Sequence, residues 1–106
     1  MITETGIKRI AEAIGNLAYK GKITINDTVS TIDIYRKTVS DNKLTIMLLI
    51  DDVVTGTITK KEIVNMDGEV IFENAMSMEK NIDEGLLVTF EINIREVIGY
   101  GDTAIQ

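Results

Sequence analysis

The sequence predicts an α+β fold, mainly β: an N-terminal amphipathic helix packed on a small antiparallel sheet of about six strands, curled into a sandwich or open barrel. Three observations lead there. The hydrophobic period is helical over residues 5–15 and switches to two from residue 22 onward. The connections between alternating runs are short, which favours antiparallel pairing, because a parallel crossover needs a dozen or more residues. The chain has no Pro among its 106 residues, so every backbone N–H is available to a ladder and turn-making falls to Gly, Asn and Asp.

In the helix, Ile7, Ile10, Ala11 and Ile14 follow the i, i+3, i+4, i+7 spacing, while Lys8, Arg9 and Glu12 fall off that stripe. Thr3 or Thr5 is placed to cap its start, and Gly15-Asn16 to stop it. A helix this short is marginal alone and has to dock its isoleucine stripe. Ile23 and Ile25 begin the alternating region. Ile32 to Val39 continues it, Ser40-Asp41-Asn42 reads as a turn, and Leu44, Ile46, Leu48 and Ile50 line one face of the next strand, so residues 34–40 and 43–51 form a hairpin. Thr55-Gly56 breaks the pattern before a weaker strand over 57–65. Met66-Asp67-Gly68 is a strong turn, and Val70 and Phe72 lie on the returning strand. After a loop at 81–85, Leu86 to Arg95 is the most regular alternation in the chain. From Ile98 the period is lost, and residues 98–106 read as a flexible tail.

The strand Leu44-Thr45-Ile46-Met47-Leu48-Leu49-Ile50 is apolar on both faces. A one-sided sheet would place polar residues at 47 and 49. The second face is therefore expected to be covered, either by the N-terminal helix or by another subunit, and Lys43, Asp51 and Asp52 flank the run as gatekeepers against edge aggregation.

Composition removes most chemistry. With neither His nor Cys, the chain offers no imidazole base, no thiolate nucleophile and no N/S zinc ligands. The net charge is −6, against the clustered Lys and Arg that nucleic-acid binding requires, so no nucleic-acid partner is expected. The charge is uneven: residues 1–22 hold Lys8, Arg9, Lys20 and Lys22 against Glu4 and Glu12, and the rest is strongly acidic. That reads as a solvated surface, or as a basic end that docks on an acidic neighbour. No apolar run approaches the ~20 residues of a membrane span, and the N-terminus has neither the basic nor the apolar region of a signal peptide, so none is expected. Asp51-Asp52 lacks the spacing of a calcium loop. Asp83-Glu84 reads as a solvated turn, and Ser30, Ser40 and Ser77 have no His to act as base. The glycines form neither a phosphate loop nor a dinucleotide fingerprint, and Tyr19, Tyr35, Tyr100, Phe72 and Phe90 are too sparse for base stacking. No catalytic, cofactor or metal residues are expected, and the chain does not read as an enzyme.

The order of segments resembles the N-terminal domain of phage tail-fibre and tail-collar proteins. Thr3-Glu4-Thr5-Gly6-Ile7-Lys8-Arg9-Ile10-Ala11 matches the family's T-x-x-G-x-x-x-I-A helix, Lys22-Ile23-Thr24-Ile25 its first strand, and Ile34-Tyr35-Arg36-Lys37 its hydrophobic-Y-R-K segment. Residues 58–72, with Asp67-Gly68 at the turn, match its hairpin, Lys80 its lysine after that hairpin, and residues 86–94 its closing strand. Asn26-Asp27-Thr28-Val29 stands where the family has a Gly-rich loop, and Val64-Asn65 replaces a Gly-Leu pair. The resemblance implies one attachment-type domain over residues 1–97 and a non-enzymatic structural subunit of a phage, prophage or tail-like bacteriocin particle. Such a subunit docks at the baseplate or fibre attachment region. It also implies other tail or baseplate proteins as partners, a homo-oligomer with a trimer as one candidate, and synthesis in the cytoplasm before joining the particle. With no shaft following the domain, host recognition is not expected. The candidate interface residues are Lys8, Arg9, Met47 and Leu49. The competing reading is a cytoplasmic β-module, unrelated to phage, that binds a peptide or small ligand.

Overall fold

In a computed structural model, which describes residues 2–51, 55–81 and 85–96, one helix precedes six antiparallel strands that form a nearly closed, barrel-like sheet. The elements are α1 (Glu4–Leu17), β1 (Lys20–Ile25), β2 (Thr28–Ser40), β3 (Lys43–Ile50), β4 (Gly56–Val64), β5 (Val70–Lys80) and β6 (Leu86–Asn93). Their order across the sheet is β5-β4-β1-β2-β3-β6. The tail expected over residues 98–106 lies outside the described residues, as does the domain boundary at 97.

The sheet folds over on itself at β2. The first half of this 13-residue strand pairs with β1, from Thr28 opposite Ile25 to Asp33 opposite Lys20. Its second half pairs with β3, from Ile34 opposite Leu48 to Ser40 opposite Lys43. A shift of register between Ile34 and Arg36 leaves Tyr35 in a bulge, which bends the strand and lets it pass from one layer to the other. One layer is therefore β2-β1-β4-β5 and the other β2-β3-β6.

Turn chemistry fixes the hairpins. Asn26 and Asp27 join β1 to β2 with φ of 48° and 65°, the two left-handed residues of the tight turn that suits the twist of a hairpin. Thr28 and Val29, expected in a loop, are thus the first residues of β2. Asp41-Asn42 makes the β2–β3 turn, as the sequence predicts. At the β4–β5 turn the Asn65 carboxamide oxygen accepts from the N–H groups of Asp67 (3.0 Å) and Glu69 (2.9 Å), and Gly68 takes a φ of 82°, open to glycine at no steric cost.

The core lies between the layers. Ile23, Leu44, Ile46, Leu48, Ile50, Ile58 and Ile63 are fully buried, each contributing about 1.5–3 kcal/mol by removal from water. Val88 and Phe90 of β6 complete it. Leu48 reaches across to β1 and occupies the space a side chain at residue 21 would need: a Cβ on Gly21 would lie 2.4 Å from Leu48 Cδ2.

The helix starts at Thr3, whose Oγ1 accepts from the Gly6 N–H (3.0 Å), and runs past Gly15 to Leu17. Gly15 does not stop it. It is buried against Leu44, whose Cδ1 would lie 3.2 Å from a Cβ there. The helix docks through Ala11 and Gly15, its two buried positions, while Ile7 and Ile14 are half-buried and Ile10 and Leu17 remain exposed. Small residues win the contact because they let the helix backbone approach β3 closely. Lys37 of β2 closes the far end, its Nζ donating to the carbonyls of Gly15 (2.9 Å) and Ala18 (3.2 Å), where a cation also favours the helix dipole. The helix thus covers the Leu44 end of the inner face, and not the second face of β3 as one of the two expectations had it.

Replacing Gly21 by Val is expected to destabilise the fold by about 1–3 kcal/mol in urea unfolding, because the added carbons collide with a buried leucine. Leu48→Ala alone is expected to cost about 2–5 kcal/mol. Combining Leu48→Ala with Gly21→Ala should cost less than the sum of the single changes, since each relieves the other; additive losses would show that the two do not share space.

Candidate functional site

The outer side of the β3–β6 layer carries the apolar face that the sequence marks, and within this chain the described residues leave it exposed. Even-numbered residues of β3 point into the core, so Thr45, Met47 and Leu49 face outward. The β3–β6 register sets Leu49 opposite Leu87 and Met47 opposite Thr89. Leu49 and Leu87 are each 46% exposed and Met47 is half-buried. On the other side of β3, Arg36 is opposite Met47. Its guanidinium carbon lies 5.8 Å from the ring centroid of Tyr35, the exposed bulge residue. Towards the strand ends the surface turns polar: Thr45 faces Glu91, whose carboxylate is 3.9 Å from the Lys43 ammonium. The wall thus has an apolar centre, an aromatic–arginine flank and a charged rim.

The four sequence-predicted interface residues do not form one patch. Met47 and Leu49 share this wall, and Lys8 and Arg9 sit on the helix that covers the inner face. Consecutive helical residues point about 100° apart, and the two cations are separated accordingly. The Arg9 guanidinium donates to Glu12 (2.6 Å). Lys8 borders an open cleft of about 710 Å³ between the helix start, the β2–β3 turn and the chain after β6, lined also by Ile7, Asp41, Ile94 and Glu96. The Ile2 N–H donates to the Glu96 carboxylate across this cleft (2.6 Å).

Lys61 on β4 was not singled out by the sequence. Its Nζ donates to the Thr89 carbonyl of β6 and lies 4.5 Å from the Phe90 ring centroid, joining two strands that are not neighbours in the sheet. Burial pushes the Lys61 ammonium below the ordinary lysine value of 10.5. Lys80, which the family resemblance marks as the lysine after the hairpin, is buried at 3% exposure, with Nζ donating to the Asn81 carbonyl (3.2 Å).

The candidate chemical groups remain apart. Ser30, Ser40 and Ser77 are exposed strand residues, and Asp51 is exposed at the end of β3. Asp52, Asp83 and Glu84 lie outside the described residues. Among the described residues, no three acidic side chains are grouped to hold a metal ion, and no helix is long and apolar enough to cross a membrane. No family model, curated protein or solved structure matches the chain.

Lys61→Ala is expected to lower stability by about 1–2 kcal/mol through the lost charged hydrogen bond and stem packing, and to speed amide exchange in β6. The sign of its pH dependence follows from linkage. Between the lowered folded pKa and 10.5 the unfolded chain binds more protons at this residue, so the wild-type stability rises with pH there relative to the variant. Parallel stability curves for the two proteins across that window would refute it.

Proposed function

We propose that this chain is a non-enzymatic structural subunit of a phage-tail-like particle, docking at the baseplate or fibre attachment region through protein–protein contacts. The observation that carries this reading is the outward Leu49–Leu87 pair with Met47 beside it, an apolar strip on the wall of a sheet whose other face already holds the core. Burying such a strip against a partner is favourable by the area removed from water, and the Arg36–Tyr35 and Lys43–Glu91 rim would set register and suppress wrong partners. Support for the phage-tail part is the order of segments, which resembles the tail-fibre N-terminal domain from the helix through the closing strand. The partners are other tail or baseplate proteins, and the subunit acts as a homo-oligomer, made in the cytoplasm and then carried in the particle. Lys8 and Arg9 serve as a separate contact from the helix end.

The cleft beside Lys8 favours a second reading, a β-module that takes a peptide or small ligand between Ile7 and Ile94. The two readings divide on the wall, because substitutions there leave the cleft untouched.

The test is sedimentation of the tagged chain with intact particles from an induced lysate, comparing wild type with Leu49→Glu/Leu87→Glu. Both residues are half-exposed but face each other across the β3–β6 ladder, so the variant is expected to fold with a loss of about 1–2 kcal/mol, and to lose particle association at least about tenfold by burying charge without a partner. A wild-type chain that never sediments with particles, or a variant that sediments equally well, would sink the reading.

A further inference from the structure

The two layers are unequal. Leu48 of β3 rests over Gly21 of β1, and β6 is drawn to β4 by Lys61 on the Thr89 carbonyl. With β3 matched to β1 and β6 to β4, the fourth strand of the larger layer, β5, has no counterpart, and among the described residues it pairs only with β4. The exposure of its inner face records this. Phe72 and Met78 stand opposite Ile63 and Ile58 on the same side of the sheet; both isoleucines are fully buried, but Phe72 is half-buried and Met78 is 42% exposed. An eleven-residue strand without proline, with an open backbone edge and a half-covered apolar face, is a template for another strand.

We propose that β5 pairs antiparallel with β5 of a second copy, about a two-fold axis at Ala75. The strand's own sequence selects both occupant and register. Ala75 is the midpoint of Val70–Lys80, so this register sets residues 72–78 of the two copies against each other, short of the shift at Ile71. It sets Phe72 opposite Met78 of the second copy and Asn74 opposite Met76, all on the inner face. On the outer face Glu73 falls opposite Ser77, with no like charges facing and only Ala75 at the axis, and a shift of register at Ile71 ends the regular pairing there. Moving the centre one residue either way, which keeps like faces together, sets Glu69 against Glu79 or Glu73 against Glu79. The pairing is self-complementary and closed, as a two-fold interface requires. It covers the exposed side of Phe72 and Met78, and gives an even-numbered assembly in place of a trimer. The Met47–Leu49–Leu87 wall, on the other layer, stays free, so this inference stands apart from the particle reading.

Sedimentation equilibrium on the full chain tests it. Wild type is expected to dimerise reversibly. Ala75 is exposed, so Ala75→Glu and Ala75→Lys should fold normally, and each should weaken the dimer about fivefold by setting like charges face to face. An equal mixture of the two should recover wild-type association, because Glu then faces Lys. Ser77→Lys, opposite Glu73 twice over, should tighten the dimer about two- to tenfold, and it keeps the test decisive if an Ala75 variant folds poorly. Leu49→Glu/Leu87→Glu should dimerise as wild type. A wild-type chain that stays monomeric into the high-micromolar range, Ala75 variants that associate as wild type, a mixture without recovery, or loss of the dimer on changing Leu49 and Leu87 instead would each overturn it. Loss of particle association with the dimer intact would count against the particle reading alone.

Discussion

Leu48 resting on the bare backbone of Gly21 is the contact on which the rest of the architecture depends. The two residues belong to strands separated by β2, so they meet only because the sheet has folded over. A Cβ at residue 21 would hold β3 away from β1, and the inward rows of isoleucine and leucine would then face a gap instead of one another. Interiors are packed as densely as organic crystals, so a displacement of one carbon at this point is felt by Ile23, Ile46 and Ile63 together. The Tyr35 bulge supplies the bend, but the packing of Leu48 determines how tightly it closes.

Closure in turn accounts for the exposed wall. Once the even-numbered residues of β3 are committed to the core, strict alternation sends Met47 and Leu49 outward, and the β6 register brings Leu87 beside Leu49. The helix cannot shield them. Its cap at Thr3, its close approach at Gly15 and the Lys37 bonds to its last carbonyls tie it to the Leu44 end on the inner side. Among the described residues, the strip therefore stays exposed on the outer wall.

Much of this was legible in the sequence. Period-two alternation marked most of the strands, though β4 only weakly and the start of β2 not at all; Asp41-Asn42 and Met66-Asp67-Gly68 marked their turns, and the seven-residue apolar run marked Met47 and Leu49 as residues whose face needs cover. What the sequence did not carry is what depends on contacts between distant segments. Gly15 reads as a helix stop because a glycine that ends a helix and one that lets a neighbour approach look alike. Leu87 lies on the alternate face of its strand with Thr89 and Glu91, and periodicity alone does not mark its pairing with Leu49. Lys61 gave no signal because its partner is a backbone carbonyl 28 residues away, and any residue can supply a carbonyl. The fold-over at β2 was invisible for the same reason: nothing local to Tyr35 sets it apart from the strand around it.

The way the structure is closed also explains why its two free edges differ. A ladder would satisfy both edges alike, but Lys61 is a single side chain reaching from inside β4. It draws β6 towards β4, satisfies one carbonyl on the β6 edge and covers Phe90 with its stem and charge. Among the described residues, the edge of β5 receives no such cover. Burial lowers the pKa of Lys61, so the closure is held at a desolvation cost that a backbone pair would not incur. Side-chain closure therefore leaves the larger layer one strand wider than the smaller, with β5 at its edge paired only to β4 among the described residues.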